Sequence, residues 1–394
     1  MINDRLNLLR DYPFRRLNNL LMGLEPPSNV EPLIMSIGEP QHPYPEFVTE
    51  VLKKHAGLWG KYPPTSGTSE FRTAVRDWIT QRYGLPPGMI EPDRNILPVA
   101  GTREALFAAA LLAVPTKKRG AQPTVLIPDP FYQIYAGAAI MAGAEPVYVP
   151  TTEETGFLPN FSALPADQLE RAALAYLCSP SNPQGAVASL SQLKSYIQLA
   201  RDLDFVLATD ECYCEIYCDK PPPGILEACS TDVKSVSNVL AFHSLSKRSN
   251  VPGLRSGFVV GDGDLIIDFA RLRQYTGSAS PGPVLAAATA LWKDEVHVKT
   301  SRQLYREKFD DAEQIIGNHP HFYRPAGGFY LWLKVGDGEA TASKLWATTG
   351  VKVMPGAYLS REAGDAPGKA YIRLALVHNR SANAEALNRI ATYL

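Results

Sequence analysis

The sequence predicts an α/β fold, a mainly parallel sheet covered by helices and followed by a smaller α+β unit. Three observations carry that prediction. Short β-branched runs alternate with amphipathic stretches from about residue 95 to 262. Single polar residues stand at the carboxyl ends of several runs. From residue 327 onward strands dominate before one closing helix.

The candidate strands are PTVLIP (123–128), EPVYVP (145–150), ALAYLC (173–178), FVLATD (205–210), NVLAFHS (238–244) and SGFVVG (256–261). Segments between them, such as SLSQLKSYIQLARDLD, space their apolar residues as a helix does. The tail offers strands at 327–335, 350–356 and 370–377, a closing helix in ANAEALNRIATYL, and a long helix near 283–318. At the start, MINDRLNLLRDYPFRRLNNLL mixes charges into its leucines, which predicts an amphipathic helix and not a signal peptide. PLIMSIGEP then ends in turn residues. The expected division is a large domain over 46–285 and a small domain from 1–45, with its N-terminal arm, plus 286–394.

Lys+Arg of 39 against Asp+Glu of 40 leave a net charge of -1, so no global attraction to nucleic acid or anionic membrane is expected. The longest apolar run, 105–114, is about half a membrane span. Five cysteines, an odd count in a large chain, point to reduced thiols and a cytoplasmic location. The spacing of Cys212, Cys214, Cys218 and Cys229 matches neither zinc nor iron–sulfur patterns, so they are expected to be small buried hydrophobes.

Ligands of parallel sheets bind beyond the carboxyl ends of the strands. Asn182, Asp210 and the segment Ser244 to Lys247 all fall at such ends. Lys247 stands in AFHSLSKRSNVPGLRSGFVVGD, near Arg248 and Arg255. An amine desolvated beside fixed cations becomes a nucleophile toward carbonyl carbon, whereas a solvated loop lysine does not. Asp210 ends an apolar run and needs a cation or hydrogen bonds there. A protonated pyridine nitrogen would serve; so would the start of a helix in ECYCEIY, with Asp210 as its cap. In VAGTREALFAAALLA, the N–H groups of Gly101, Thr102 and Arg103 could receive a phosphate, or Thr102 could simply cap the helix. Ser244, Ser246 and Arg255 could donate to the same dianion.

Other enzyme classes find no support. VVGDGDLIIDF supplies Gly261 and Gly263 but places Ile266 at the third glycine position of a dinucleotide fingerprint. No GxxxxGK[ST], GxSxG or HExxH segment occurs.

Taken together, these segments resemble the fold-type I, pyridoxal 5'-phosphate (PLP)-dependent class I/II aminotransferases over nearly the whole chain. The resemblance implies a large domain with a mainly parallel seven-stranded sheet. It makes SLSKRSNVPGLRSG the lysine segment, with Lys247 the Schiff-base residue and Arg255, Ser244 and Ser246 phosphate ligands. SPSNPQG then places Asn182 at the cofactor's 3′-oxygen, with Gln184 standing where the family usually has Thr. TDECYCEIY places Asp210 on the pyridine nitrogen and Tyr213 on the 3′-oxygen, and DPFYQIY stacks Tyr132 on the ring. KYPPTSGTSEFR sends Tyr62 to the phosphate of a neighbouring subunit, which implies a homodimer. YIRLAL makes Arg373 the clamp for the substrate α-carboxylate, and SIGEP puts Gly38 beside it. For the supporting residues plainer roles stay open: a structural ion pair for Arg373, core aromatics for Tyr132 and Tyr213, a turn for Gly38.

The opening helix segment, GEPQHPYP (38–45), SLSKRSNVPGLRSGF and YTGSASPGP (275–283) are similar to the N-succinyldiaminopimelate aminotransferases of lysine biosynthesis. That likeness implies small amino and keto acids as partners, with glutamate as donor. The substrate's distal carboxylate would need a cation or amide, for which Arg16, Arg273 and Gln274 are the candidates. A PLP-dependent β-lyase, another class I aminotransferase and a non-catalytic PLP-domain regulator are the alternatives.

Overall fold

The computed structural model describes residues 2–231, 234–277, 279–362 and 364–393. Among them, twelve strands form three sheets: β1 (Leu33–Ile34), β2 (Ile96–Val99), β3 (Thr124–Asp129), β4 (Glu145–Pro150), β5 (Ala172–Cys178), β6 (Val206–Asp210), β7 (Val239–Ser244), β8 (Gly257–Gly261), β9 (Tyr330–Lys334), β10 (Val351–Lys352), β11 (Met354–Pro355) and β12 (Tyr371–Ala375). The main sheet has the order β2-β8-β7-β6-β5-β3-β4, so the expected mainly parallel seven-stranded sheet is present. β8 alone runs against its neighbours.

The alternation of the strands explains the layers. In β5, Ala175 and Leu177 face the core that contains Trp78 and Trp292, while Leu174 and Tyr176 face the helices Thr102–Ala113 and Gln133–Ala142. Both faces are covered, as a parallel sheet requires. The reversed direction of β8 matters for chemistry. β7 ends and β8 begins at one end of the sheet, with Ser244 opposite Gly257, so the link 245–256 stays there. Lys247 and Arg255 are thereby kept together.

The C-terminal layer is the antiparallel sheet β11-β12-β9, packed through Leu331, Leu333, Ile372 and Leu374. β1 joins it from the other end of the chain, pairing in parallel with β10, and the Ala375 amide donates to the Met35 carbonyl at 2.8 Å.

Three expectations need correction. The N-terminal amphipathic helix is two pieces, a 3-10 turn at Asp4–Leu8 and an α-helix at Pro13–Leu20. Pro13 has no N–H and drives Tyr12 to extended backbone, which starts a new helix there. The helix near 283–318 is likewise two, Gly282–Lys293 and Val296–Ile316. Asp294 is extended between them, and its carboxylate accepts from the His297 amide at 3.0 Å, serving the start of the second helix. The strand expected at 350–356 divides because β10 pairs with β1 while β11 pairs with β12.

At its two ends β8 can lie this close to β7 only because the residues are glycine. A Cβ on Gly257 would sit 2.4 Å from the His243 carbonyl oxygen, and one on Gly261 would sit 1.9 Å from that of Val239. Backbone cannot step aside as a side chain can. Gly257→Ala is expected to cost about 1–3 kcal/mol and to loosen the link carrying Arg255. Thermal unfolding at a lower midpoint is the expected result; an unchanged melt would show that the strands have slack.

Candidate active site

The carboxyl ends of β5, β6 and β7 open into a cleft of about 520 Å³, lined by Asn182, Asp210, Tyr213, Lys247, Arg255 and Arg373. Ser244 caps the short Leu245–Arg248 helix, its hydroxyl accepting from the Ser246 amide at 3.1 Å. The Ser246 hydroxyl accepts from Arg255 Nη1 at 3.4 Å. Arg255 has φ +52°, a left-handed conformation uncommon outside glycine, and it turns the chain back into β8. Opposite stands Gly101, φ +89°, where a Cβ would fall 2.0 Å from Arg255 Nη2. Gly101 is the cap of the Thr102–Ala113 helix, so Thr102 lies inside the helix and does not cap it. The first N–H groups of that helix have no partner within it. A guanidinium, hydroxyls and a helix start thus meet at one wall.

Lys247 Nζ donates to the Gly38 carbonyl and lies 5.2 Å from the centre of the Phe329 ring. Burial lowers its pKa from 10.5 to about 8, and the charges of Arg373 and Arg255 push the same way. Asp210 is buried, with Oδ1 accepting from the Cys212 amide at 3.2 Å and Oδ2 from the Tyr135 hydroxyl at 2.8 Å. Burial still holds its pKa above the usual carboxylate range, despite those hydrogen bonds. The helix that Asp210 could have capped is absent, since 212–215 form turns.

Arg373 is only 4% exposed. Its Nη1 donates to Asn182 Oδ1 and its Nη2 to the Ser36 carbonyl, both at 2.9 Å. Its guanidinium lies over the Tyr330 ring at 4.3 Å, and no carboxylate pairs with it among the described residues. The plain ion-pair role is therefore not what the fold provides. Gly38 has a geometric reason, because a Cβ there would meet the Tyr330 hydroxyl at 1.8 Å. That hydroxyl is 3.2 Å from the Tyr213 hydroxyl. Tyr132 lines the cleft and receives a hydrogen bond from Arg103 Nε at 2.7 Å. Gln184 turns to Thr151 Oγ1 at 2.8 Å and leaves Asn182 to Arg373. Tyr62 is 103% exposed and lies away from the cleft of its own chain.

The three candidates for a distal anion do not line the cleft. Arg273 is 1% exposed and pairs with Glu104 at 2.5 Å, because it lies on the inward face of the Gly263–Thr276 helix. Gln274 is on the exposed face of the same helix. Arg16 packs over Tyr358 at 4.2 Å and approaches Glu362 at 3.4 Å. In YTGSASPGP, Ser278 lies outside the described residues. The cysteine expectation also needs amendment: Cys178, Cys214, Cys218 and Cys229 are buried, but Cys212 is partly exposed on the cleft wall, 3.1 Å from Thr102 Oγ1. Sequence reasoning missed Tyr12, Tyr135 and Tyr330. Tyr135 and Tyr330 stand in otherwise apolar segments, and Tyr12 in the charged segment RDYPFRR, so none carries a signal of its own.

The donor set fits PLP. The Gly101 cradle, Ser246 and Arg255 suit a phosphate, Asp210 is an acid in want of a buried cation, and Lys247 is an amine with lowered proton affinity. The family model for aminotransferase class I and II matches residues 31–390. The chain belongs to that family. Like its fellow class I/II aminotransferases, this one is a PLP-dependent transaminase with the fold-type I architecture. It is 39% identical to a solved aminotransferase from Neisseria meningitidis Z2491, with a TM-score of 0.95 and each chain covered at 100%. It is 31% identical to the LL-diaminopimelate aminotransferase of Aquifex aeolicus, over 98% of both chains. A solved "probable N-succinyldiaminopimelate aminotransferase" from Thermus thermophilus is 25% identical, with a TM-score of 0.82, over 97% of this chain and 100% of the other. No helix among the described residues is long and apolar enough to cross a membrane.

The lowered pKa of Lys247 gives a direct test. In cofactor-free protein, trace acylation of Lys247 should rise with pH to a midpoint near 8, well below the 10.4 or so of an exposed lysine. Peptide mapping of the label across pH reads the midpoint; a value near that of surface lysines would contradict the burial described.

Proposed function

We propose that Lys247 binds the cofactor aldehyde and then takes the proton from the substrate Cα on its freed Nζ. Asp210 holds the pyridine nitrogen, Asn182 and Tyr213 the ring oxygen, and Tyr132 the ring face. The phosphate lies among Gly101, Thr102, Arg103, Ser244, Ser246 and Arg255. Arg373 grips the substrate α-carboxylate, with Gly38 closing beside it. PLP, when bound, supplies the carbonyl that receives the amino group and a ring that draws electrons from Cα. The observation that carries this reading is the amine of Lys247 with its lowered pKa in one cleft with the buried Asp210. With a pKa near 8, a substantial minority of the amine is unprotonated near neutral pH and can both attack a carbonyl and act as general base.

The substrate proposed is N-succinyl-LL-2,6-diaminopimelate and its keto acid, exchanged with glutamate and 2-oxoglutarate in lysine biosynthesis. The segment likenesses and the name of the Thermus neighbour support it. Free LL-diaminopimelate is the second reading, favoured by the names of relatives at 30% and 31% identity. A homodimer, with Tyr62 reaching the neighbouring phosphate, is supported by its full exposure.

Borohydride reduction of cofactor-loaded protein followed by peptide mapping should place the pyridoxyl label on Lys247. Lys247→Ala should lose transamination by about three orders of magnitude or more, the upper part of what general bases contribute. A label elsewhere ends this assignment. With 2-oxoglutarate as acceptor, the succinylated donor should turn over at least about tenfold faster than the free one, the effect of one added charged contact. The reverse order would select the second reading.

A further inference from the structure

One buried amine lies outside the cleft lining. Lys308, on the helix Val296–Ile316, is 2% exposed and forms no ion pair among the described residues. Its Nζ lies 2.6 Å from His42 Nε2 and donates to the Leu376 carbonyl at 3.2 Å. A buried ammonium without an acid is costly, so the residue needs a reason beyond packing. Its two partners supply one. His42 follows Gly38 by four residues, and Leu376 follows Arg373 by three. Lys308 thus ties the segment beside Arg373 to the strand that carries Arg373. Two other bonds make the same connection, from Arg373 to the Ser36 carbonyl and from the Ala375 amide to the Met35 carbonyl. His42 also packs on the Tyr305 ring at 4.5 Å, and Tyr305 stacks on Phe329, the ring beside Lys247.

We propose that Lys308 is a positioning residue for the substrate α-carboxylate site, and that a proton gained on its amine loosens that site. The inference rests on the reading that Arg373 grips the carboxylate. Two titratable groups face the amine: His42 from the N-terminal segment and Tyr305 from its own helix, with the ring centre at 4.9 Å. Burial and the charge of Lys308 lower the pKa of His42 to about 4, and burial raises that of Tyr305, so neither changes charge between pH 6 and 9. Beyond Leu376, His378 Nε2 lies 2.9 Å from the Ile34 carbonyl. The C-terminal helix Arg380–Ala391 packs on the Lys308 helix through Ala386, Leu387 and Ile390, while its Arg380 is held by Glu307 and Asp311. Lys308 itself does titrate in this range, because burial lowers its pKa from 10.5 to about 7. The sign follows from linkage. The amine holds its proton less tightly here than in water, so a proton favours any arrangement that lets the amine reach water. Raising the pH through 7 favours the arrangement seen, with His42 and Leu376 held together.

The test follows single-turnover reaction of cofactor-loaded protein with glutamate at pH 6 and pH 8, read from the visible cofactor band. From pH 6 to pH 8, KM of the native chain relative to that of Lys308→Met should fall by about threefold to tenfold, as for a pKa difference of about half a unit to one unit between two arrangements. The limiting rate should keep the same pH course in both. Lys308→Gln keeps a donor for Leu376 but cannot titrate, so it should match Lys308→Met, and it decides the matter should the methionine variant fail to fold. The native melting midpoint should also rise from pH 7 to pH 9 relative to either variant, since a lysine of pKa about 10.4 gives the unfolded chain the tighter hold on the proton. A KM ratio constant across pH overturns the proposal, as does a change confined to the limiting rate or a set of parallel melts. Arg373→Lys separates these failures from that of the underlying reading. An unchanged KM there refutes the carboxylate grip and the proposal with it. A raised KM there, beside a constant ratio for Lys308→Met, refutes the role of Lys308 alone.

Discussion

Burying a carboxylate at the end of a central strand is unfavourable unless hydrogen bonds or cations satisfy it, and much of the cleft follows from meeting that demand at Asp210. β6 is the middle strand of seven, so Asp210 has a strand on each side and is almost wholly buried. The Cys212 amide serves one oxygen and Tyr135 the other. Tyr135 is itself fixed by stacking on Tyr176 at 4.4 Å, which places the phenol under the acid. Burial keeps the carboxyl's pKa raised despite these bonds, so a bound cation would still be welcome there. A pyridine nitrogen is well matched to that demand for charge, and on this reading the acid selects the protonated form of the ring.

Charge organises the rest of the cleft. Arg373 and Arg255 each lower the proton affinity of Lys247, while Cys212 and Glu39 oppose them. Burial is the larger influence, and the apolar wall that supplies it includes Phe329. The arginines are kept apart by neutral groups rather than by carboxylates: an amide and a carbonyl for Arg373, a hydroxyl and a carbonyl for Arg255. Their positive charge therefore remains available to anionic ligands. Arg273 shows the opposite design, a buried arginine paired with Glu104, which also accepts from the Ala100 amide and so steadies the start of the Thr102–Ala113 helix.

How much of this was legible in the sequence depended on where each residue stands. Asp210 was visible because it ends an apolar run, and Asn182 and Lys247 because they follow other strands at the same end of the sheet, where ligands of parallel sheets bind. The main sheet was visible because buried strands are short β-branched runs, although β8's direction was not. Direction is set by the path of the link, and spacing is silent on it. Tyr135 and Tyr330 were hidden because an aromatic ring in an apolar stretch has the same signature whether its hydroxyl serves a site or nothing at all, and Tyr12 because its charged segment RDYPFRR shows only a helix start. Arg273 looked available because its partner lies 169 positions away. The split of the 283–318 helix was hidden for a similar reason, since Asp and Glu are tolerated within helices and the capping role of Asp294 appears only in three dimensions.

The bond between Arg373 and the Ser36 carbonyl joins residues 337 apart in the chain. During synthesis the seven strands between 96 and 261 emerge long before Arg373 does. A nascent chain can thus assemble the layer that holds Lys247 and Asp210 before the contacts of Arg373 to Asn182 and Ser36 exist. On the proposed roles, the groups that would face the cofactor are made before the one that would orient an amino acid, and the cleft is complete only when the last sixth of the molecule folds back onto its first.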